Sequence, residues 1–307
     1  MTDMQDLSAQ TLPIHMKFSE MTPLAVSAVS KRTKFLPTTG GTYTQNNNIL
    51  RIPISSSTDF LDGSGTVLKF TYKNTTAQTI TFDGSAHSVI QTMRLISTTS
   101  GQELELIRNY SQLHNMLSDL VMGPQQRFAK SYEGYGYQGV GLGPSIDGAG
   151  AIVVVASAVK GATKEDQLGC NEVNIATTLS HTFMLPLLSS IIGQGQKRYF
   201  PLYLSGSLML EIEFASSFSP FVSAINAPLA YEISNCELQT TCIQFGGDVN
   251  TQLFNMTSRA GLYLHTNTLA TYYNAINEAN QNIQINERLK SVKSVFLTFS
   301  KIKQVNE

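Results

Sequence analysis

The chain has 307 residues, of which 42% are hydrophobic and only 14% are charged. This length allows one large domain or two smaller ones, and it buries enough surface that a core needs no disulfide bonds. The formal net charge of −1 excludes a global electrostatic attraction to nucleic acid or to an anionic membrane. The charged fraction is below the roughly 25% usual for soluble domains. It is typical either of a β-rich protein with polar loops or of a protein with extensive contact surfaces.

The lack of recognisable targeting signals and the pattern of cysteines both favour an intracellular compartment. No stretch approaches the roughly 20 consecutive apolar residues of a membrane span. The N-terminus is polar and acidic and lacks the order of a secretory signal. The three cysteines, Cys170, Cys236 and Cys242, have no zinc-binding spacing. We therefore expect buried free thiols and a cytosolic protein.

Residues 1–47 are predicted to form an N-terminal arm. Prolines and a Gly-Gly pair interrupt any long helix there. A basic cluster formed by Lys31, Arg32 and Lys34 has the charge to contact nucleic acid or lipid head groups. Three charges are weak evidence for such a contact, so a solvated arm is the favoured interpretation.

From residue 49 to residue 245, the sequence predicts a series of short strands separated by turn signals. The clearest of these strands lies at the end of the apolar segment 184–214, and its side chains alternate strictly. Those pointing one way are Leu208, Leu210, Ile212 and Phe214, and those pointing the other way are Met209, Glu211 and Glu213. A period of two predicts a strand with one buried and one solvent-facing side. Short strands at regular spacing predict an all-β sandwich or barrel.

Two helices are predicted among and after these strands. Residues 109–121 place apolar side chains at a spacing of three to four, with Asn109 as the N-cap. A second, shorter helix is predicted over residues 248–259. The last strand candidates are residues 262–266 and 292–300.

A long insertion rich in Gly and Tyr is predicted at residues 123–172. Tyr132, Tyr135 and Tyr137 interleave with glycines in its first part. So long an excursion is uncommon in a compact domain unless it has a function, and Tyr gives contact area at a low entropic cost. An interface with a neighbouring subunit is therefore favoured over the alternative, a mobile surface loop.

No catalytic, cofactor-binding or metal-binding residue is predicted. The five histidines are scattered along the chain: His15, His87, His114, His181 and His265. None has a metal-ligand spacing to another. The carboxylate pairs Glu103/Glu105 and Glu211/Glu213 are expected on outward strand faces, where solvated pairs are routine. The expectation is a protein that has no cofactor and is not an enzyme.

Four segments, taken in their order along the chain, resemble known proteins. They are residues 107–120 (IRNYSQLHNMLSDL), 185–214 (LPLLSSIIGQGQKRYFPLYLSGSLMLEIEF), 231–239 (YEISNCELQ) and 288–300 (RLKSVKSVFLTFS). Together they resemble the jelly-roll major capsid proteins of icosahedral DNA viruses in the adenovirus-hexon-like lineage, in particular those of virophages and polinton-like viruses.

The resemblance implies a fold and a domain organisation. Residues 48–246 would form an eight-stranded jelly roll with one inserted helix and with the insertion 123–172. Residues 247–307 would form a linker helix and either the opening strands of a second jelly roll or a C-terminal extension. The function implied is a structural subunit that self-assembles into pseudo-hexagonal trimeric capsomers around a DNA genome. Its location would be the virion capsid, assembled in the host cytoplasm or nucleus.

The resemblance also implies partners. They are further copies of the chain, in the trimer and in neighbouring capsomers, and minor capsid or penton proteins. The arm with Lys31, Arg32 and Lys34 would face the capsid interior and contact the genome or an inner membrane. The insertion tyrosines Tyr132, Tyr135 and Tyr137 would lie at the interface between subunits.

Two other functions remain open on this fold, since jelly rolls serve capsids, lectins and enzymes alike. The main alternative is a carbohydrate- or receptor-binding domain of the lectin or viral spike type, in which the insertion tyrosines stack on a sugar ring. A glycan-acting enzyme would need a carboxylate pair in a cleft.

Overall fold

Eight strands form the frame of the molecule in a computed structural model. The model describes residues 27–75, 80–82, 84–123, 126, 129–135, 145–146, 152–153, 174–175, 180–193, 198–216, 221–222, 230–261, 266–269, 271 and 292–297. The eight strands are β1 (Ala28–Phe35), β2 (Ile49–Ile54), β3 (Phe60–Asn74), β4 (Ile90–Ser97), β5 (Glu103–Arg108), β6 (Ser180–Pro186), β7 (Leu208–Phe214) and β8 (Tyr231–Phe245).

Shorter elements connect or flank this frame. Two-residue and three-residue strands are Thr42–Tyr43, Ile80–Phe82, Ser145–Ile146, Ile152–Val153, Asn174–Ile175, Phe200–Pro201 and Phe221–Val222. The helices are α1 (Tyr110–Val121), α2 (Leu202–Ser205) and α3 (Gly247–Ala260), with 3₁₀ turns at Ala86–Val89 and Ser131–Glu133. No helix in the described part of the chain is both long and apolar enough to cross a bilayer.

The strand order identifies a jelly roll. One sheet has the order β1-β8-β3-β6 and the other the order β2-β7-β4-β5, with every pairing antiparallel. The first strand pairs with the eighth, the second with the seventh, the third with the sixth and the fourth with the fifth. This nested pairing across two facing sheets is the jelly-roll arrangement. The predicted all-β, eight-stranded jelly roll with an inserted helix is confirmed.

Alternating apolar side chains fill the space between the sheets. The predicted inward side of β7, from Leu208 to Phe214, is completely buried, while Met209, Glu211 and Glu213 on its other side are half-buried. Leu210 lies opposite Ile52 on one neighbouring strand and opposite Leu95 on the other, so the inward side chains of adjacent strands are in register. Burial of each such side chain contributes roughly 1.5–3 kcal/mol, which makes this interior the main source of stability.

The predicted arm is wrong from Ala28 onward, because these residues form β1. This strand pairs along its whole length with β8, from Ala28 opposite Phe245 to Phe35 opposite Leu238. It is the edge of its sheet and most of its side chains are exposed. Neither face is buried, so the period-two pattern that reveals a strand is missing, and charged side chains are typical of such edges. Residues 1–26 lie outside the described residues.

Both predicted helices are found, whereas the described part of the last strand candidate, residues 292–297, is not a strand. Helix α1 follows Asn109, which adopts a left-handed conformation (φ 51°) and makes no side-chain capping bond. Helix α3 is one residue longer at each end than predicted. The strand candidate 292–300 is absent from its described part, because residues 292–297 form neither strand nor helix. Most of the candidate 262–266 lies outside the described residues, so the division at residue 247 stays a prediction.

Candidate functional site

The three basic residues assigned to the arm lie on β1 and contact their own chain. Lys31 Nζ is 2.8 Å from Asp59 Oδ2, and Lys34 Nζ is 3.1 Å from Glu237 Oε2. Arg32 donates a hydrogen bond of 3.0 Å to the carbonyl oxygen of Gly65. The hydrogen bond to Asp59 raises the pKa of Lys31. These cations therefore hold the edge strand against β3 and β8, and their role toward the capsid interior stays a prediction.

The insertion tyrosines do not act as one group. Tyr132 is 48% exposed, whereas Tyr135 is only 2% exposed and its ring centroid lies 6.4 Å from that of His114. Gly134 between them has φ +86°, and a Cβ there would lie 2.8 Å from the backbone nitrogen of Ala86. This tight turn directs Tyr135 into the interior, so the assignment of Tyr135 to an interface is wrong. Tyr137 lies outside the described residues.

A buried cluster of His87, His114 and Glu133 lies beside this turn. His87 belongs to the 3₁₀ turn Ala86–Val89, His114 to α1, and Glu133 to the 3₁₀ turn Ser131–Glu133. Their exposed fractions are 0%, 5% and 1%. The imidazole rings stack with centroids 3.6 Å apart, and His87 Nε2 is 3.4 Å from Glu133 Oε2. One ligand atom from each residue lies within 4.8 Å of the others.

The surroundings of His87 keep its imidazole neutral. Burial lowers the pKa of His87 to about 3, and the positive charge of Lys130 acts in the same direction. The Nζ of Lys130 is 3.0 Å from Glu133 Oε1 and balances part of the carboxylate charge. His87 Nδ1 lies 3.5 Å from the hydroxyl oxygen of Tyr110, which accepts a hydrogen bond from the backbone N–H of Leu188. Burial also raises the pKa of Tyr110, so its hydroxyl group stays protonated.

A second buried carboxylate belongs to the same end of the molecule. Glu105 is 3% exposed and accepts hydrogen bonds from Ser189 Oγ, Ser190 Oγ and the Ser190 backbone N–H. Glu105 was expected to point outward, with Leu104 and Leu106 pointing inward, and this expectation is wrong. Glu105 and Ile107 occupy the buried side of β5, while Leu104 and Leu106 are half-buried on the other side.

A cavity of about 250 Å³ lies between the histidine cluster and the serines that bind Glu105. Its lining includes His114, Lys130, Glu133, Ser189 and Ser190. We use the name polar pocket for the buried groups around it: His87, Glu105, His114, Glu133, Ser189 and Ser190. The pocket offers imidazole nitrogens and carboxylate oxygens, which are groups that bind a cation or transfer a proton.

Sequence reasoning did not find the polar pocket, because its members come from distant parts of the chain. The topology brings the turn after Ile80–Phe82, the inserted helix and the start of the insertion together. One signal was available: His114 lies one helical turn after the buried Tyr110, on the side that α1 buries. Carboxylates Glu211 and Glu213 are on an outward strand face as predicted, and Glu211 pairs with Arg51 at 2.8 Å.

The chain is similar in structure to several viral capsid proteins. No protein-family model and no curated protein matches it. A chain of the PBCV-1 virus capsid matches with a TM-score of 0.47 and 14% identity, over 76% of this chain and 46% of that chain. The Faustovirus major capsid protein matches with a TM-score of 0.43 and 10% identity, over 83% and 60%. The mavirus major capsid protein matches with a TM-score of 0.36 and 13% identity, over 80% and 52%.

The likeness concerns the fold. The chain spans about half the length of these solved structures. The jelly roll itself follows from the nested strand pairing, independently of any comparison. The protein is therefore an eight-stranded jelly roll.

Proposed function

We propose that the chain is a structural subunit of an icosahedral viral capsid, which assembles with further copies of itself as trimeric capsomers around a DNA genome. The observation that carries the proposal is a jelly roll with a closed interior and large apolar side chains left exposed outside it. Clustered exposed apolar side chains are typical of protein contact surfaces. The ordered resemblance of four sequence segments to capsid proteins supports the same function.

The first proposed contact surface is the insertion patch, which consists of Leu120, Val121 and Tyr132. Their exposed fractions are 63%, 75% and 48%. The patch is continuous with the polar pocket, because Met122, which follows Val121, and Glu133, which follows Tyr132, both line its cavity. Tyr is enriched at protein interfaces, so we assign this patch to the contact between subunits of a trimer.

The second proposed contact region is the C-terminal part of the chain, in which large apolar side chains are exposed both on α3 and in the segment 292–297. On α3, Phe254 is 58% and Met256 is 70% exposed, and Leu297 in the segment 292–297 is 77% exposed. These side chains leave a large apolar area in water, which is unfavourable unless another surface covers it. We propose that residues 247–307 contact a second jelly roll or a neighbouring capsomer.

Contacts with the genome or an inner membrane are proposed for the N-terminal part of the chain. Lys31 and Lys34 already neutralise Asp59 and Glu237, which reduces the charge that β1 offers to a genome or an inner membrane. Residues 1–26 do not compensate for this loss, because they contain Asp3, Asp6 and Glu20 against Lys17 alone. Minor capsid or penton proteins are proposed partners at the capsomer edges.

The structure removes one argument for the alternative function, a carbohydrate-binding domain. That function required the insertion tyrosines as a stacking platform for a sugar ring, and Tyr135 is buried in its own chain.

Light scattering after size exclusion, with negative-stain imaging of the same peak, tests the proposal. We expect three times the chain mass of 33.6 kDa and a pseudo-hexagonal outline. Tyr132→Ala should shift the protein toward monomer. A wild-type protein that stays monomeric at high concentration would refute the capsomer proposal.

Tyr199→Ala is the matched control for the trimer contact, because Tyr199 is 49% exposed and lies beside α3, in the region assigned to contacts outside the trimer. Tyr199 packs near Phe60 at the start of β3. The turn of Tyr132 instead packs on Phe183, which lies opposite Phe70. At about 3.3 Å per residue, Phe60 and Phe70 are roughly 30 Å apart. An equal loss of trimer in both variants would contradict the assignment of the insertion patch.

A further inference from the structure

We propose that His87, His114 and Glu133 form a binding site for a divalent transition metal, and that zinc is the ion that suits these donors best. Two imidazole nitrogens and a carboxylate oxygen are a known zinc-binding set when a fourth position is left for water or another ligand. The proposal is independent of the capsid function.

The first argument is the burial of the three donors. All three side chains are at least nine-tenths buried, and an ionised carboxylate in such a place requires a compensating positive charge. Lys130 Nζ lies 3.0 Å from Oε1 of Glu133. The other oxygen, Oε2, lies 3.4 Å from His87 Nε2. A bound cation would complete the compensation.

The second argument is the unsatisfied nitrogen of His87. Within the described residues, its Nε2 atom forms no hydrogen bond, although Glu133 Oε2 is 3.4 Å away. A buried polar atom without a partner is destabilising. A metal ion between this nitrogen and the carboxylate would give His87 Nε2 a partner.

The third argument is the distance between the donors. Ligands of tetrahedral zinc, at roughly 2.0–2.2 Å from the ion, stand about 3.4 Å from each other. The separation of His87 Nε2 and Glu133 Oε2 already has this value, and the complete set lies within 4.8 Å. Coordination also requires the His114 ring to turn out of its stack on His87, because a ring nitrogen binds a metal in the plane of its ring. The adjoining cavity, which His114 and Glu133 line, has room for a water molecule as the fourth ligand.

The fourth argument is the support around His87. Metal-bound histidines use their second ring nitrogen in a hydrogen bond that fixes the tautomer. Here Nδ1 lies 3.5 Å from the Tyr110 hydroxyl oxygen, which the Leu188 N–H also contacts. With Nε2 bound to metal, Nδ1 carries the proton and donates to Tyr110. The site would then join the 3₁₀ turn Ala86–Val89, α1 and the start of the insertion, and fix the base of the insertion patch.

Calorimetric titration of the metal-free full chain with zinc chloride tests the proposal. We expect one zinc ion per chain and a rise in melting temperature on binding. His114→Gln should weaken binding by at least about tenfold. His181→Ala is the matched control, because His181 lies exposed on β6 and should leave the affinity unchanged.

Cobalt(II) absorption of the wild-type protein provides a second readout that does not depend on any variant folding. We expect the intense visible bands of a four-coordinate ion, and their loss in Glu133→Gln. The proposal is overturned if the protein does not bind zinc or if the cobalt spectrum is weak and six-coordinate. It is also overturned if His114→Gln leaves the affinity for zinc intact while His181→Ala reduces it.

Discussion

The interior between the two sheets and the polar pocket are both buried, but different forces stabilise them. Between the sheets, strands such as β7 contribute Leu210, Ile212 and Phe214, all completely buried. In the polar pocket, Glu105 and Glu133 are almost equally buried, and each contacts particular hydrogen-bond donors or cations. Apolar burial is non-directional and depends mainly on area, whereas a buried polar group is stable only with its specific partners.

This difference determines how each region responds to change. The apolar interior should lose stability in proportion to the volume removed, with little dependence on pH or ions. The polar pocket should be sensitive to substitutions that keep the volume and alter only one atom. Substitutions in the two regions, and at ion pairs on the surface, separate these effects.

The largest expected effect is that of Phe214→Ala in the apolar interior. Phe214 is completely buried and its ring lies 5.9 Å from that of Tyr43 and 6.1 Å from that of Phe70. The loss of transfer free energy and the cavity left behind should lower the free energy of unfolding by about 3–5 kcal/mol. Denaturation by urea measures this change.

Met209→Ala is the control on the same strand, since Met209 is half-buried on the opposite face. We expect it to lower the free energy of unfolding by about 1 kcal/mol or less. Equal losses in the two variants would contradict the assignment of the buried face.

The next effect is that of Glu105→Gln in the polar pocket. The volume barely changes, but one carboxylate oxygen is replaced by an NH₂ group that faces donors from Ser189 or Ser190. Hydrogen bonds to charged groups contribute about 1.5–3 kcal/mol, so we expect a loss of about 2 kcal/mol in urea denaturation. Glu103→Gln, at an exposed position of the same strand, should have almost no effect. A result in which the two variants are equal would remove the distinction between the regions.

The fold was predictable where burial follows a simple period. The alternation of β7 predicted its buried face correctly at every position. The pattern failed at β1, because an edge strand with both faces exposed carries Lys31, Arg32 and Lys34 without alternation. The nested strand order was implied only by the resemblance to capsid proteins, since periodicity does not determine which strands pair.

The polar pocket was not predictable from spacing, because three-dimensional packing creates it. His87, His114 and Glu133 belong to three separate elements, and no local pattern links them. The misassignment of Glu105 has a different cause. Leu104 and Leu106 lie on one face of β5, and Ile107 lies with Glu105 on the other. Because both faces carry apolar residues, the sequence does not show which face is buried. Only the partners Ser189 and Ser190 make the buried position of a carboxylate favourable.

A smaller effect is expected for Glu237→Gln at the surface of the first sheet. Glu237 pairs with Lys34 at 3.1 Å and Lys69 at 2.9 Å, and its side chain is 12% exposed. Partial burial opposes ionisation, but hydrogen bonds from Lys69, Gln239 and Lys34 outweigh it and lower the pKa of Glu237 to about 2. We expect a loss of about 1 kcal/mol at neutral pH.

The pH dependence of this variant has a defined sign. The pKa of Glu237 is lower in the folded than in the unfolded protein, where it is about 4.3, so the unfolded state binds more protons between these values. The stabilisation is therefore present above about pH 4.3 and is lost as the pH falls toward 2. Unfolding measured at several pH values should show the difference between wild type and Glu237→Gln shrinking in this window. A difference that stays constant would contradict the ion-pair explanation.

The smallest effect is expected for Lys73→Ala, which removes an exposed ion pair. Lys73 lies directly opposite Glu232 across β3 and β8, with 3.5 Å between Nζ and Oε2, and both side chains are more than one-third exposed. Water screens such pairs and the long side chains lose entropy in forming them, so we expect a change of less than about 0.5 kcal/mol that disappears at high salt. A loss as large as that of Glu105→Gln would show that charge alone determines the stability of polar contacts in this protein. The small loss that we expect attributes the importance of Glu105 to its burial, which leaves the serine donors around it without water as a substitute partner.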